Sequence, residues 1–281
     1  MNVLRSVAEV RAWRTRVSSV ALVPTMGALH GGHEALIARA VATSSAAAVS
    51  LFVNPLQFGP QEDLATYPRS ETADVDLCAR LGAAVVFAPS VEEMYPPGDE
   101  TRVHPGPIAR RLEGQARPGH FVGVCTVVLK LFEIVRPDVA YFGQKDYQQL
   151  RVIQTVARDL RLAVRVIGCP TVRDRDGLAL SSRNAYLSRD ERARAQALSR
   201  GLRAAREAYA AGERDPARLR ERVEAVLRDA KIAPEYVSAA DPYTLDELRA
   251  PERKIVISLA ARVGKTRLID NELLGMDVSE L

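Results

Sequence analysis

His30 and His33 stand three positions apart in the stretch Val23 to His33, VPTMGALHGGH, directly after a short apolar run, Ser19 to Val23. That run has the length and composition of a buried strand, and Glu34 to Val41 beyond it carries helical spacing. Strand, glycine turn and helix start together place backbone N–H groups and the positive end of a helix dipole where an anion can sit. Two imidazoles at i and i+3 on a first helical turn project to one side. Each can donate a hydrogen bond to a phosphoryl oxygen as charge builds there. A metal site is the competing use for paired histidines, but beyond Glu34 the stretch offers no third His, Cys or well-spaced carboxylate. Phosphate chemistry fits the spacing better.

Three further clusters have residue types that suit the same chemistry. Asn54-Pro55-Leu56-Gln57-Phe58-Gly59 brings two amides to a turn, where Asn54 and Gln57 can orient a small polar substrate, although Asn and Gly are also common in plain loops. Gly143-Gln144-Lys145-Asp146 follows a strand: the Gly allows close backbone approach, the Lys can meet phosphate and the Asp can accept from ribose hydroxyls. Asp146 can equally cap the helix that follows, and Gln149 lies on the same side of that helix's first turn. Leu180-Ser181-Ser182-Arg183 sets two hydroxyls beside a guanidinium, one fork and two neutral donors able to grip a polyphosphate. Gly264-Lys265-Thr266 resembles the end of a phosphate-binding P-loop, but the earlier Gly that motif needs falls on Leu259, so a turn between strands is expected.

The elements that must carry these residues read as an α/β protein. An amphipathic helix is expected over residues 2–17. Buried strands are expected at Ser19–Val23, Ala46–Val53, Ala83–Ala88, Val139–Phe142 and Leu162–Ile167, with helices at about 33–44, 71–81 and 147–159. Alternation of this kind builds a parallel sheet with its ligand crevice at the strand carboxyl ends. Residues 89–119 hold many Pro and Gly with little periodicity and read as a long loop, either solvated surface or lid. Phe121 to Val135 has helical spacing, with Lys130 expected to snorkel to water. Composition shifts near 170–180. Residues 188–230 are rich in Ala, Arg and Glu, open with the capping box Ser188-x-x-Glu191 and are split into two helices by Gly212 and Pro216. Short strands, antiparallel, are expected at Pro234–Ala240, Lys254–Val263 and Thr266–Asp270.

Composition narrows the class. The 281 residues are 47% hydrophobic and 26% charged with a net charge of +4, as in an ordinary globular protein. Arginines between Arg189 and Arg228 alternate with Asp and Glu, so a helix surface is expected there and no nucleic-acid footprint. Cys78, Cys125 and Cys169 are isolated, without CxxC spacing, which suits a reducing compartment and predicts a cytoplasmic protein. No signal-peptide core is evident, and no run approaches the ~18 apolar residues of a membrane span.

The motifs PTMGALHGGH, FVNPLQF, RPGHFVGVCTVVLKLF, YFGQKDYQQL, GLALSSRN and RLIDN occur in that order. Together they resemble the pantothenate synthetase (pantoate–β-alanine ligase) family, within the nucleotidylyltransferases marked by an HxGH signature, here His30-Gly31-Gly32-His33. The resemblance covers most of the chain. It implies a Rossmann-like domain over 1–172 that binds nucleotide and pantoate, and a smaller α+β domain over 173–281 that covers the site. It implies two half-reactions as well: (R)-pantoate and ATP give pantoyl adenylate and pyrophosphate, then β-alanine displaces AMP. On the family pattern Met26, Gly27, His30 and His33 line the ATP phosphates, with His33 the foremost proton donor to the departing phosphate and His30 beside it. Lys145, Ser181, Ser182 and Arg183 hold the triphosphate, Gly143 and Asp146 meet the ribose, and Val172 and Leu180 touch the nucleotide. Gln57 and Gln149 bind pantoate beside Asn54, and Gln57 also faces β-alanine. Mg²⁺ accompanies ATP with no protein ligand assigned, no metal site belongs to the protein itself, and the assembly is a homodimer.

Two other functions use the same residues. An adenylyltransferase of the same superfamily would stop at the adenylylated product, against which stand the paired glutamines. A nucleotide- or RNA-binding module without catalysis would not need His30, His33, Lys145 and Arg183 together.

Overall fold

The computed structural model describes residues 1–60 and 62–280. The chain forms two compact units, one of Met1–Gly143 with Gln148–Cys169, the other of Gln144–Tyr147 with the chain from Pro170 onward.

In the first unit strands β1 (Asn2–Leu4), β2 (Val20–Thr25), β3 (Ala46–Leu51), β4 (Val85–Phe87), β5 (Val139–Gly143) and β6 (Arg165–Cys169) form one sheet in the order β1-β4-β3-β2-β5-β6. Every pairing is parallel, with Val20 opposite Ala46 and Ala21 opposite Val139. Helices α1 (Val7–Arg14), α2 (Gly31–Thr43), α3 (Glu71–Arg80), α6 (His120–Val135) and α7 (Tyr147–Asp159) supply the crossovers and faces. The central strands are apolar almost throughout, as parallel strands covered on both faces must be. Strands β3 and β4 continue from β2 in one direction and β5 and β6 in the other, so β2 and β5 flank a switch in strand order. Crevices of open α/β sheets form at such points.

Three expectations need correction here. Residues 2–17 are not one helix: Asn2–Leu4 is an edge strand on β4, and α1 starts only after Ser6 caps it. Three residues with one half-buried side chain have no period to display. The fifth expected strand is shifted, β6 spanning Arg165–Cys169 where Leu162–Ile167 was expected. Residues 89–119 are not structureless either. They contain the short helices α4 (Val91–Met94) and α5 (Glu113–Ala116), and a 3₁₀ turn at Pro107–Arg110.

In the second unit α8 (Arg189–Ala210) and α9 (Pro216–Asp229) pack on an antiparallel sheet of β7 (Pro234–Ala240), β8 (Ile255–Val263) and β9 (Thr266–Leu274). Ser188 and Glu191 form the expected capping box, and Asp215 caps α9 with Pro216 behind it. Val263 pairs with Thr266, so Gly264-Lys265 is the turn of a β-hairpin and not part of a P-loop.

Candidate active site

His30 is the N-cap of α2 and His33 its third residue. The His30 Nδ1 accepts from Gly32 N at 3.2 Å and the His33 Nδ1 accepts from His30 N at 3.3 Å. Histidine thus fills both places of a capping box, where Ser and Glu usually stand. The consequence is electronic. A ring nitrogen that accepts from an amide carries no proton, so the proton of each ring belongs on Nε2. The rings lie 4.1 Å apart, centroid to centroid, at the helix end where negative charge is favoured.

The turn in front of that helix end is braced from below. Gly27 has φ +84° and Ala28 φ +49°, a region L residues adopt only when the surroundings hold them there. Asp74 does the holding. From α3 its buried carboxylate accepts from Ala28 N and Leu29 N, each at 2.8 Å, and from Ser70 Oγ at 3.2 Å. A Cβ on Gly27 would stand 3.1 Å from Asp74 Oδ2. The 71–81 helix was expected, but the role of Asp74 was not. The available signal is an acidic residue one turn before Cys78, on the face α3 buries.

The turn after β3 is equally constrained. Asn54 is 1% exposed and all its polar capacity is used inside the protein. Its Oδ1 accepts from Leu56 N at 3.3 Å and from the Tyr95 hydroxyl at 2.8 Å. Its Nδ2 donates to Gly123 O and to Gln57 Oε1, each at 3.1 Å. The Gln57 Nε2 donates to Met26 Sδ at 3.0 Å, which links the amide turn to the phosphate turn. Asn54 therefore orients Gln57, and Gln57 presents the adjustable amide.

The segment 89–119 is fastened by polar side chains. Lys130 does not snorkel: its ammonium donates to Met94 O at 2.9 Å, pairs with Asp99 and lies 4.8 Å from the Tyr95 ring centre. Thr126 accepts from Val103 N at 3.0 Å. Gln148, neighbour of the expected Gln149, is buried, donates to Ile108 O at 2.9 Å and accepts from Glu113 N at 3.0 Å. Gln149 itself is half-buried on the first turn of α7.

Gly143 ends β5 in the first unit. In the second unit Gln144–Asp146 is a 3₁₀ turn, held by Asn271 of β9. Asn271 Nδ2 donates to Gln144 O at 2.9 Å and to Lys145 O at 2.8 Å, while its Oδ1 accepts from Gln144 Nε2 at 3.2 Å. The RLIDN motif is thereby explained. Its buried Asp270 takes both Arg173 guanidinium nitrogens, at 2.6 and 3.0 Å, and its Asn271 fixes the backbone that carries Lys145. Gln144 is itself part of this clasp, through its side chain and its carbonyl. Lys145 Nζ lies 3.4 Å from Asp146 Oδ1, a loose and partly exposed pair. Residues 172–180 form a tight hairpin in which Leu180 N donates to Val172 O at 3.0 Å. Ser181 then caps the 3₁₀ turn Ser182–Tyr186 by accepting from Arg183 N at 3.3 Å, so Ser181, Ser182 and Arg183 share one short rigid element.

Among the described residues no three His, Cys, Asp or Glu side chains converge in a way that could hold a metal ion. None of the described helices is long and apolar enough to cross a membrane.

Known proteins match this arrangement over nearly its full length. The Pantoate-beta-alanine ligase family matches residues 2–273. The pantothenate synthetase of Chloroflexus aurantiacus is 53% identical over 276 residues, covering 98% of either chain. The crystal structure of pantothenate synthetase from Thermus thermophilus superposes with a TM-score of 0.93 at 46% identity, covering 97% of this chain and 99% of its own. The pantoate-beta-alanine ligase of Francisella tularensis, solved in complex with beta-gamma ATP and beta-alanine, gives a TM-score of 0.81 at 34% identity, covering 99% and 100%.

Proposed function

The chain belongs to the pantoate–β-alanine ligase family, and on that premise we propose how its residues divide the work. The reaction is an ATP-dependent condensation. A pantoate carboxylate oxygen attacks the α-phosphorus of ATP and expels pyrophosphate. The β-alanine amine then attacks the acyl carbon, loses a proton, and AMP leaves. The intermediate anhydride is needed because a carboxylate is a poor acyl donor.

The observation that carries the assignment of roles is the double-histidine cap. With both Nδ1 atoms engaged by amides, donation to phosphate falls to the Nε2 side of each ring, at a helix N-terminus. His33 is the donor to the departing phosphate and His30 its partner, with Met26 and Gly27 shaping the turn in front of them. Lys145 and Arg183 offset charge on the triphosphate, with Ser181 and Ser182 as neutral donors. Gly143 and Asp146 meet the ribose. Val172 and Leu180, opposite each other in their hairpin, meet the nucleotide. Gln57 and Gln149 grip pantoate, Gln57 also faces the incoming amine, and Asn54 sets the Gln57 rotamer. In this division residues 1–172 carry the pantoate contacts and most of the nucleotide contacts, and 173–281 add Leu180, Ser181, Ser182 and Arg183.

Mg²⁺ in such a reaction is carried by the triphosphate, usually with several waters and few protein ligands. The described residues offer no dedicated cage for it, and no step here depends on one. We place the enzyme in the cytoplasm on its three free, buried cysteines, and propose a homodimer, to be checked by light scattering.

The test is pyrophosphate release from ATP and Mg²⁺ with pantoate, with and without β-alanine. Release that requires pantoate, with AMP and pantothenate appearing only once β-alanine is present, is expected. Release without pantoate, or a stable adenylate that β-alanine leaves untouched, would overturn the assignment. Gln57→Ala should raise the KM for pantoate far more than that for ATP.

A further inference from the structure

The backbone carbonyl of Gln57 is held as firmly as its side chain. His120, the first residue of α6, places Nδ1 at 2.8 Å from Gln57 O, and Arg117 Nη2 lies 3.4 Å from the same oxygen. The other ring nitrogen, Nε2, is 3.2 Å from Arg117 Nη1. These partners fix the tautomer without ambiguity. A carbonyl only accepts, so Nδ1 must carry the proton; a guanidinium only donates, so Nε2 must be bare. Arg117 is in turn clamped by Glu62, at 2.8 Å through Nε and 2.5 Å through Nη2. Burial, aided by the Arg117 charge, pushes the His120 imidazole down to about 4, so it stays neutral across physiological pH. The ring also rests 4.9 Å from that of Phe121, centre to centre.

No direct role in adenylate chemistry explains a neutral histidine whose two nitrogens are both spent inside the protein. We propose that His120 is a positioning residue for pantoate: through the Gln57 carbonyl its imidazole fixes the three-residue turn Pro55–Gln57 and hence where the Gln57 amide meets substrate. The inference rests on the assignment of Gln57 to pantoate made above. It accounts for the Arg117-x-x-His120 pair of the RPGH motif, which that assignment leaves without a task. Arg117 locks the tautomer, and the tautomer supplies the donor.

Asparagine and glutamine separate the two nitrogens. An Asn amide falls near the Nδ1 position and can keep the bond to Gln57 O. A Gln amide reaches the Nε2 position, keeps company with Arg117 and abandons Gln57. His120→Gln should raise the KM for pantoate about tenfold or more, the usual result of leaving a buried acceptor short of a donor. The KM for ATP should not change, and His120→Asn should recover most of the loss. Equal effects of the two variants, or parallel rises in both KM values, would mean that His120 only supports the fold and would overturn the proposal. Should neither variant accumulate as folded protein, the imidazole ¹⁵N shifts of the native enzyme decide. A proton on Nδ1 agrees with the proposal and a proton on Nε2 refutes it. Gln57→Ala run alongside separates the two levels. An unchanged pantoate KM there removes Gln57 from the site, whereas a raised one with an inert His120→Gln overturns only the role of His120.

Discussion

Gly123→Ala sets two physical effects of opposite sign against each other. Gly123 lies inside α6, where replacing glycine by alanine ordinarily gains about 0.5–1 kcal/mol of helix stability. Here a Cβ would lie 2.2 Å from Leu56 O, 2.4 Å from Leu56 C and 2.6 Å from Gln57 N. Comfortable separation begins at about 3.5 Å, so helix and turn must part by roughly 1 Å, and every atom met is backbone. Overpacking of this kind costs about 1–3 kcal/mol, more when the neighbour cannot rotate away. Parting them also stretches the bond that Asn54 Nδ2 makes to Gly123 O at 3.1 Å. The clash wins. Thermal unfolding should fall by a few degrees, taking roughly 2–4 °C per kcal/mol for a chain of this size class. The catalytic effect should be larger, because a substrate-positioning group displaced by about 1 Å can cost on the order of 10²-fold. Steady-state kinetics with each substrate varied in turn is the assay. kcat/KM for pantoate should drop steeply while KM for ATP moves little, since the histidine cap lies on a different turn. A variant with unchanged or raised stability and wild-type pantoate kinetics would refute the close approach.

Other substitutions test the remaining contacts. Asp74→Asn replaces one of two acceptor oxygens by an amide that faces a backbone N–H; losing a bond to a charged acceptor costs about 1.5–3 kcal/mol. Denaturant unfolding should register that loss and KM for ATP should rise, and wild-type values for both would remove Asp74 as the brace of the 27–29 turn. Asn271→Asp turns the donor that holds Gln144 O and Lys145 O into a third acceptor, so it should impair ATP use more than Asn271→Ala does. The reverse ranking in kcat/KM for ATP would show that the clasp does not position Lys145. His33→Ala should lower kcat by on the order of 10²-fold or more with a smaller change in KM, and near wild-type turnover would end its role as proton donor.

What the sequence made legible follows from which constraints are local. The parallel sheet, the capping box at Ser188 and the pair of helices split by Gly212 and Pro216 each rest on patterns a few residues long, and they stand as expected. So does the helix start at His30 and His33. The misses have two causes. β1 is too short for a period, and residues 89–119 are ordered by Tyr95, Thr126, Lys130 and Gln148, whose partners lie 41, 23, 36 and 40 positions away. Lys130 shows the limit clearly. On a helical pattern its default is to reach water, and nothing nearby in the chain announces that Met94 O and Asp99 await it.

The site was half legible for the same reason. Residues that face a substrate occur in short motifs, because a turn presents neighbours together. Residues that hold the turns do not, because the bracing side chain comes from another element: Asp74 for the phosphate turn, Asn271 for the Lys145 turn, His120 and Tyr95 for the amide turn. Asp74, His120 and Asn271 are buried and Tyr95 half-buried, and their polar atoms are satisfied by backbone groups or by single neighbouring side chains, which is why their loss should be costly. A turn near the carboxyl end of a strand has few apolar contacts of its own to define its path. Directional bonds from a rigid helix or strand define it instead, and a buried donor or acceptor left alone costs more than the bond it made was worth. Substitutions at the braces should therefore impair a single substrate each, according to which turn they hold, while substitutions within the apolar core should lower stability without favouring one substrate over another. A screen in which Asp74, His120 and Asn271 variants lost affinity for ATP and pantoate in equal measure would contradict this division, and would place the three residues among general supports of the fold.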